Sequence, residues 1–335
     1  MINVQSVITL ELPAQLVQHG MHRFRRTLLA WYGENQRALP WRRDRDPYRI
    51  WISEIMLQQT RVAAVLSRYE RFLERFPSLA GLAAAPVDSL LAEWSGLGYY
   101  RRARELHRAA RILVREQKGV LPQTASDLVR LPGIGPYTAA AIASIAFAEP
   151  VPAIDGNVER VLTRVIGKRQ RRRDLRDAAE QILDRARPGD FNQALMELGA
   201  TVCLPSRPRC PACPVRGFCS TRGHGELLRL KRRRRKRKIT YALVERGHEV
   251  ILVKRDPRSH LLPGMWELPQ VEKEREKPCF SLRHSITTTD FSVYVVRSKR
   301  LPGGGSWIKI SALNMLPLAG LTRKILRMAG IIKSP

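Results

Sequence analysis

Leu131-Pro132-Gly133-Ile134-Gly135-Pro136-Tyr137-Thr138-Ala139 joins two stretches of helical pattern, and its reading decides the fold. Gly133 and Gly135 permit backbone conformations and close approaches that a Cβ would hinder, and Thr124, Ser126 and Asp127 suit the capped start of a short helix upstream. The pattern is that of a helix-hairpin-helix. A second helix opening at Pro136 points free first-turn N–H groups outward, where they suit a phosphate oxygen. Eighteen residues beyond Tyr137 stands Asp155, an acid between apolar and glycine neighbours in Ala153-Ile154-Asp155-Gly156-Asn157-Val158.

The charge of the chain points the same way. Its 59 Lys and Arg against 30 Asp and Glu leave a formal +29, which calls for a polyanionic partner, nucleic acid first. A membrane surface fits less well, because the longest small-apolar run, Ala139 to Ala148, is too short to span a bilayer. With 335 residues and 44% hydrophobic content there is room for two domains with cores. Met1 to Leu16 lacks the basic and apolar regions of a secretion signal, so a cytoplasmic, nucleoid-associated location is expected. In such a reducing compartment, four cysteines within seventeen residues argue for metal ligation over disulfides.

Residues 1–20 read as an N-terminal extension, and a run of helical patterns follows from Met21 to the cysteines. Ser53 reads as the cap of an apolar helix with Glu54 at its head, among Ile52, Ile55, Met56 and Leu57. Such company disfavours the charged carboxylate, raises its pKa and suits it to give a proton near neutral pH. Gln58, Gln59 and Thr60 need polar partners in that setting. Gly96-Leu97-Gly98-Tyr99-Tyr100-Arg101-Arg102 is a loosened turn with aromatics beside cations, fit to wedge a ring between bases or to pack it. Cys203, Cys210, Cys213 and Cys219, on a proline-stiffened loop, suit either an iron–sulfur cluster or a zinc ion. Cys279 reads as a packing thiol.

Eight consecutive cations, Lys231 to Lys238, repel one another and mark a basic linker over 225–238. Beyond it the period changes to two. Ile239 to Val244 and Val250 to Val253 read as a hairpin through Gly247, and Phe291 to Val296 and Trp307 to Ile310 as further strands before a helix near 319–329. Residues 239–335 thus form a small α/β or α+β domain.

Together these motifs closely resemble the adenine DNA glycosylases of the MutY family, within the endonuclease III superfamily. The resemblance covers roughly residues 21 to 222 and rests on Ser53 to Thr60, Gly96 to Tyr100, Leu131 to Thr138, Ile154 to Val158 and the four cysteines. It implies a mainly α, two-lobe glycosylase domain over 21–224 with a [4Fe–4S] loop at 203–219, followed by a small α/β Nudix-like domain. The implied substrate is adenine opposite 8-oxoguanine or guanine in duplex DNA, bound by a monomer.

Carried over by residue, the resemblance makes Glu54 the general acid and Asp155 the carboxylate that stabilises the sugar cation, with Tyr137 and Asn157 in support. Arg37, Trp41, Arg42 and Glu197 match positions lining the base pocket, and Gln59, Thr60, Leu97 and Tyr99 match residues that fill the gap and contact the partner base. Gly133, Gly135 and Thr138 correspond to contacts with the DNA backbone. A tyrosine at 137, where bifunctional relatives carry a lysine, implies base removal without strong strand cleavage. Leu262 to Pro269 resembles the Nudix-like domain, but no acidic metal-binding helix follows Pro269, so no nucleotide hydrolysis is expected there. In the place of the family's His-x-Phe-Ser-His loop stands His284-Ser285-Ile286-Thr287-Thr288, where the hydroxyls of Ser285 and Thr287 remain to meet the lesion. Two other readings stand beside this one: a superfamily glycosylase acting on another mispair such as T opposite G, and a non-catalytic iron–sulfur DNA-binding module.

Overall fold

A computed structural model describes residues 20–167, 171–222, 234–256, 258–259, 262–271, 277–286, 288–298 and 305–333. The expected N-terminal extension up to residue 19, residues 225–233 of the basic linker and Thr287 lie outside the described residues. In chain order the helices are α1 (Gly20–Asn35), α2 (Pro47–Leu57), α3 (Val62–Arg75), α4 (Leu79–Ala84), α5 (Val87–Glu93), α6 (Arg101–Glu116), α7 (Ala125–Leu128), α8 (Pro136–Phe147), α9 (Gly156–Ile166), α10 (Arg172–Ile182), α11 (Pro188–Thr201) and α12 (Gly320–Met328). The strands are β1 (Arg235–Leu243), β2 (Glu245–Arg246), β3 (Glu249–Lys254), β4 (Trp266–Glu267), β5 (Phe280–Ile286), β6 (Thr289–Arg297) and β7 (Ser306–Lys309). Two compact units result: described residues within Met1–Gln59 and Ile112–Leu227, and those within Thr60–Arg111 and Leu228–Pro335.

The first unit is helical. Phe24, Leu28 and Tyr32 recur every four residues on α1 and bury one stripe against Leu162, Phe191, Leu195 and Leu198. Helix α8 has no polar face to spare, since Ala139 through Ile145 are all buried, and its small side chains let neighbouring helices approach closely. Helix α11 also approaches α9 closely at Gly199, where an added Cβ would stand 2.6 Å from the Asn157 Cβ and 3.1 Å from its Cα. Both sides of that contact are helical, so neither yields. Gly199→Ala is therefore expected to cost about 1–3 kcal/mol, seen as a lower denaturation midpoint at unchanged slope; an unshifted midpoint would contradict this packing.

The second unit joins residues 60–111, which the sequence reads with the helical domain, to the C-terminal strands. Its helical part is centred on Phe72, against which Phe76 and Trp94 pack at 5.0 and 6.0 Å between ring centroids. One sheet has the order β1-β6-β5, with β1 parallel to β6 and β5 antiparallel to it; in the other, β3 pairs with β2, β4 and β7. Two expectations change. The long strand begins at Arg235, inside the basic run, because the β6 backbone pairs with it from Thr289 onward while the four cations stay exposed. The hairpin through Gly247 forms with the two-residue β2 and the Val244 carbonyl, which accepts from the Ile251 N–H at 3.1 Å, since β1 pairs in the other sheet. Among the described residues no helix is long and apolar enough to cross a membrane.

Candidate active site

Glu54 lies in the last turn of α2 and not at a helix head. Asp46 caps this helix by accepting from the N–H groups of Tyr48 (2.8 Å) and Arg49 (3.1 Å), and Pro47 opens it. Ser53 is interior: its hydroxyl donates to the Ile50 carbonyl at 2.8 Å. An Asp-Pro pair is a legible helix start, so the signal for the earlier boundary was present. The apolar surroundings act as expected. Burial pushes the Glu54 carboxyl up to about 7, the charge of Asp155 adds to the rise, and the Tyr137 hydrogen bond and Arg42 oppose it. The Tyr137 hydroxyl, from the first turn of α8, donates to Glu54 Oε2 at 2.9 Å. Burial, Glu54 and Asp155 all hold that phenol protonated, well above its ordinary range.

Asp155 caps α9. Its Oδ1 accepts from the backbone N–H groups of Asn157 (2.8 Å) and Val158 (2.7 Å), and its Oδ2 from the Asn157 side-chain amide (2.8 Å). A carboxylate so held keeps one orientation at the positive end of a helix. Asn157 is fixed in turn by Arg160, which donates to its Oδ1 at 2.9 Å and to the carbonyls of Gly199 (2.7 Å) and Cys203 (2.8 Å). On the other side, buried Asn192 accepts from the Ala153 N–H at 3.1 Å and donates to Ser144 and Val151 at 2.9 Å. Arg160 and Asn192 escape the sequence reading because most of their partners are backbone carbonyls. A cleft of about 390 Å³ runs along Val129, Tyr137, Glu149, Ile154 and Arg176, with neither Glu54 nor Asp155 in its lining.

Glu197 of α11 is fully enclosed and ties two cations into this unit. Its carboxylate accepts from Arg37 Nε (2.6 Å) and Nη2 (2.8 Å) and from Arg42 Nη2 (2.8 Å). Burial alone would raise Glu197, but these hydrogen bonds outweigh it and hold the carboxyl below its ordinary range. Trp41 is buried in the short turn Pro40–Arg42, while the Arg37 side chain is 39% exposed and remains available to a ligand.

In the hairpin, Gly133 takes the left-handed φ of +78°, as a glycine turn requires. Gly135 is extended, and a Cβ added there would meet nothing in the protein. Its open face lies where the first-turn N–H groups of α8 begin. The Thr138 side chain is buried and accepts from Gln58 Nε2 at 3.0 Å, so its backbone is what remains for a phosphate. Gln59 is exposed with a left-handed φ of +56°.

In the second unit, Tyr99 is 44% exposed at φ +49°, an uncommon conformation for an aromatic residue, while Leu97 is buried. Arg102 fixes this loop. It donates to Thr60 Oγ1 (2.9 Å) and to the carbonyls of Leu97 (3.2 Å) and Gly98 (3.0 Å), with its guanidinium over Trp94 and Tyr99. His284, Ser285 and Ile286 belong to β5 rather than to a loop, because β6 pairs with them through Ile286 and Thr289. The Ser285 hydroxyl donates to Asp290 at 2.6 Å. Cys279 is exposed instead of packed inside; its thiol donates to the Val295 carbonyl at 3.1 Å.

Cys203, Cys210, Cys213 and Cys219 line one cavity. Among the described residues no three of His, Cys, Asp or Glu are grouped as ligands of a single ion. Arg164 donates to Cys203 Sγ at 3.2 Å and to the carbonyls of Leu204 and Pro205, which stiffens the loop. Four all-sulfur donors around a shared space, with a cation against one of them, suit a group that thiolates bind.

The helical hairpin, a buried acid raised to about 7 and a helix-capping carboxylate whose charge it feels thus meet in one unit. The family description "HhH-GPD superfamily base excision DNA repair protein" matches residues 52–188. The chain is 42% identical to the adenine DNA glycosylase of Rattus norvegicus over 313 residues, which cover 75% of this chain and 61% of that one. It is 38% identical to that of Arabidopsis thaliana over 320 residues, covering 80% of this chain and 50% of the other. The solved structure of a thermostable thymine-DNA glycosylase is similar at 30% identity and a TM-score of 0.56, covering 60% of this chain and 95% of that chain. The chain belongs to the HhH-GPD superfamily of base excision DNA repair proteins and is of MutY type. It spans 61% and 50% of the length of the two adenine glycosylases.

Proposed function

We propose that this chain is a monofunctional adenine DNA glycosylase that hydrolyses the N-glycosidic bond of adenine opposite 8-oxoguanine or guanine. The observation that carries the proposal is the buried Glu54, raised to about 7, hydrogen-bonded to Tyr137 and within the field of Asp155. Glu54 gives its proton to the extruded adenine ring as the bond breaks, and Asp155, held by Asn157, stabilises the positive charge on the sugar. Glu54, now a carboxylate, then activates the attacking water. Arg37, Trp41, Arg42 and Glu197 shape the side of the base pocket, and Gln59, Thr60 and Tyr99 fill the gap left in the duplex, while Leu97 stays buried instead of entering it. Gly133, Gly135 and the Thr138 backbone hold a phosphate. Cys203, Cys210, Cys213 and Cys219 hold a [4Fe–4S] cluster that braces the loop beside α9. The strands form a Nudix-like domain in which Ser285 meets the partner base. The protein works as a monomer on duplex DNA in the cytoplasm, at the nucleoid.

The likeness to a thymine-DNA glycosylase supports a second reading, thymine opposite guanine. Duplexes carrying A:8-oxoguanine, A:G and T:G, assayed with and without alkali, separate the two. Adenine release from the first two is expected, with strand cleavage appearing only after alkali because no lysine stands at Tyr137. Faster release from T:G, or nicking as fast as base release without alkali, would overturn the assignment.

A further inference from the structure

Helices α3 and α12 bring four guanidinium groups together in the second unit. Arg68 and Arg71 stand three residues apart on α3, and Arg323 and Arg327 four apart on α12, so each pair shares a helix face. The Arg68 guanidinium lies against Gly96, where an added Cβ would be 2.6 Å from its Nη2. Arg323 donates to Ser95 Oγ at 2.8 Å, and Arg71 pairs with Glu93 at 2.9 Å. Among the described residues no carboxylate comes within ion-pair distance of Arg68, Arg323 or Arg327, and the Nε of Arg327 is buried with no partner. Burial lowers both Arg68 and Arg323 below the ordinary guanidinium value, and the charges of Arg71 and Arg327 add to this; Tyr100 opposes it at both, and Glu93 at Arg68.

Half-buried like charges in one place are costly unless an anion joins them. Guanidinium forks with unused donors match the oxygens of phosphate. We propose that Arg68, Arg323 and Arg327, with Arg71 at the rim, form a second ligand site that binds a phosphate group, either free or in a nucleic-acid backbone.

The test is thermal melting of the full-length protein in chloride and in inorganic phosphate at matched ionic strength. Phosphate is expected to raise the parental Tm with the logarithm of its concentration, by roughly 2–5 °C at about twentyfold excess over Kd. Arg68→Gln and Arg327→Gln are expected to lose that shift, and in chloride Arg327→Gln is expected to melt no lower than the parent, since the substitution removes repulsion. Should Arg327→Gln fail to fold, Arg327→Lys keeps the charge but loses the fork, and a weakened phosphate shift is expected. The salt dependence of duplex-DNA binding distinguishes the sources: a slope reduced by about 1 in the variants points to a backbone phosphate, an unchanged slope to a free one. Absence of any phosphate effect beyond chloride, or an equal shift in parent and variants, would overturn the site. None of these readouts depends on base release.

Discussion

Glu54→Gln is expected to bind duplex DNA with an A:8-oxoguanine mispair as the parent does and to release adenine roughly 10²–10⁴-fold more slowly, the usual contribution of a positioned general acid. The amide keeps the shape of the carboxyl and can still accept from Tyr137, so the fold is retained while the transferable proton is lost. The same proton sets the pH dependence. Burial, reinforced by Asp155, moves the carboxyl from 4.5 to about 7. The acid form is present below that value and is lost above it, so kcat/KM should fall as pH rises through about 7. In the glutamine variant this limb should be flat. Stability follows the same linkage: between 4.5 and 7 the folded chain keeps a proton that the unfolded chain releases, so the Glu54 contribution weakens as pH rises through that window. Parental rates in Glu54→Gln, or a rate that climbs with pH from 6 to 8, would remove Glu54 from the role of acid.

Glu197→Ala is expected to be the most damaging change to stability, on the order of 3–5 kcal/mol, because it strips the Arg42 guanidinium, only 11% exposed, of its counter-charge. Arg37, at 39% exposed, can turn to solvent and adds little to that figure. Glu197→Gln keeps one acceptor and should lose less. Since hydrogen bonds hold Glu197 below 4.5, its contribution is present above that pH and is lost as the solution becomes more acid. Denaturant midpoints of parent and both variants at pH 7 and pH 4 measure this, and equal midpoints would show the ion pairs to be idle. Adenine release should also suffer, because Arg37 and Arg42 flank the proposed base pocket.

The hairpin, the acid's environment and the cysteine loop were legible in the sequence because each is encoded within a few residues. Gly133 needs its own missing Cβ to reach φ +78°, and Thr124 caps α7 by accepting from the Asp127 N–H at 3.2 Å. Glu54 is buried in the same helix turns as Ile52, Ile55 and Met56, so its raised pKa survives the misplaced helix start. The register of the basic strand was not legible, since pairing with β6 lies in backbone groups that every residue carries.

Sequence alone nominated the residue types of the proposed site, among them three acids, a tyrosine, an asparagine, two arginines and four thiols. Only the tertiary structure decided which of them meet, since the Tyr137–Glu54 hydrogen bond spans 83 positions and the Arg37–Glu197 pair spans 160. The anchors Arg160 and Asn192 came from the fold in the same way. Their acceptors are mostly main-chain carbonyls of Gly199, Cys203 and Val151, whose placement depends on helix packing and not on side-chain identity.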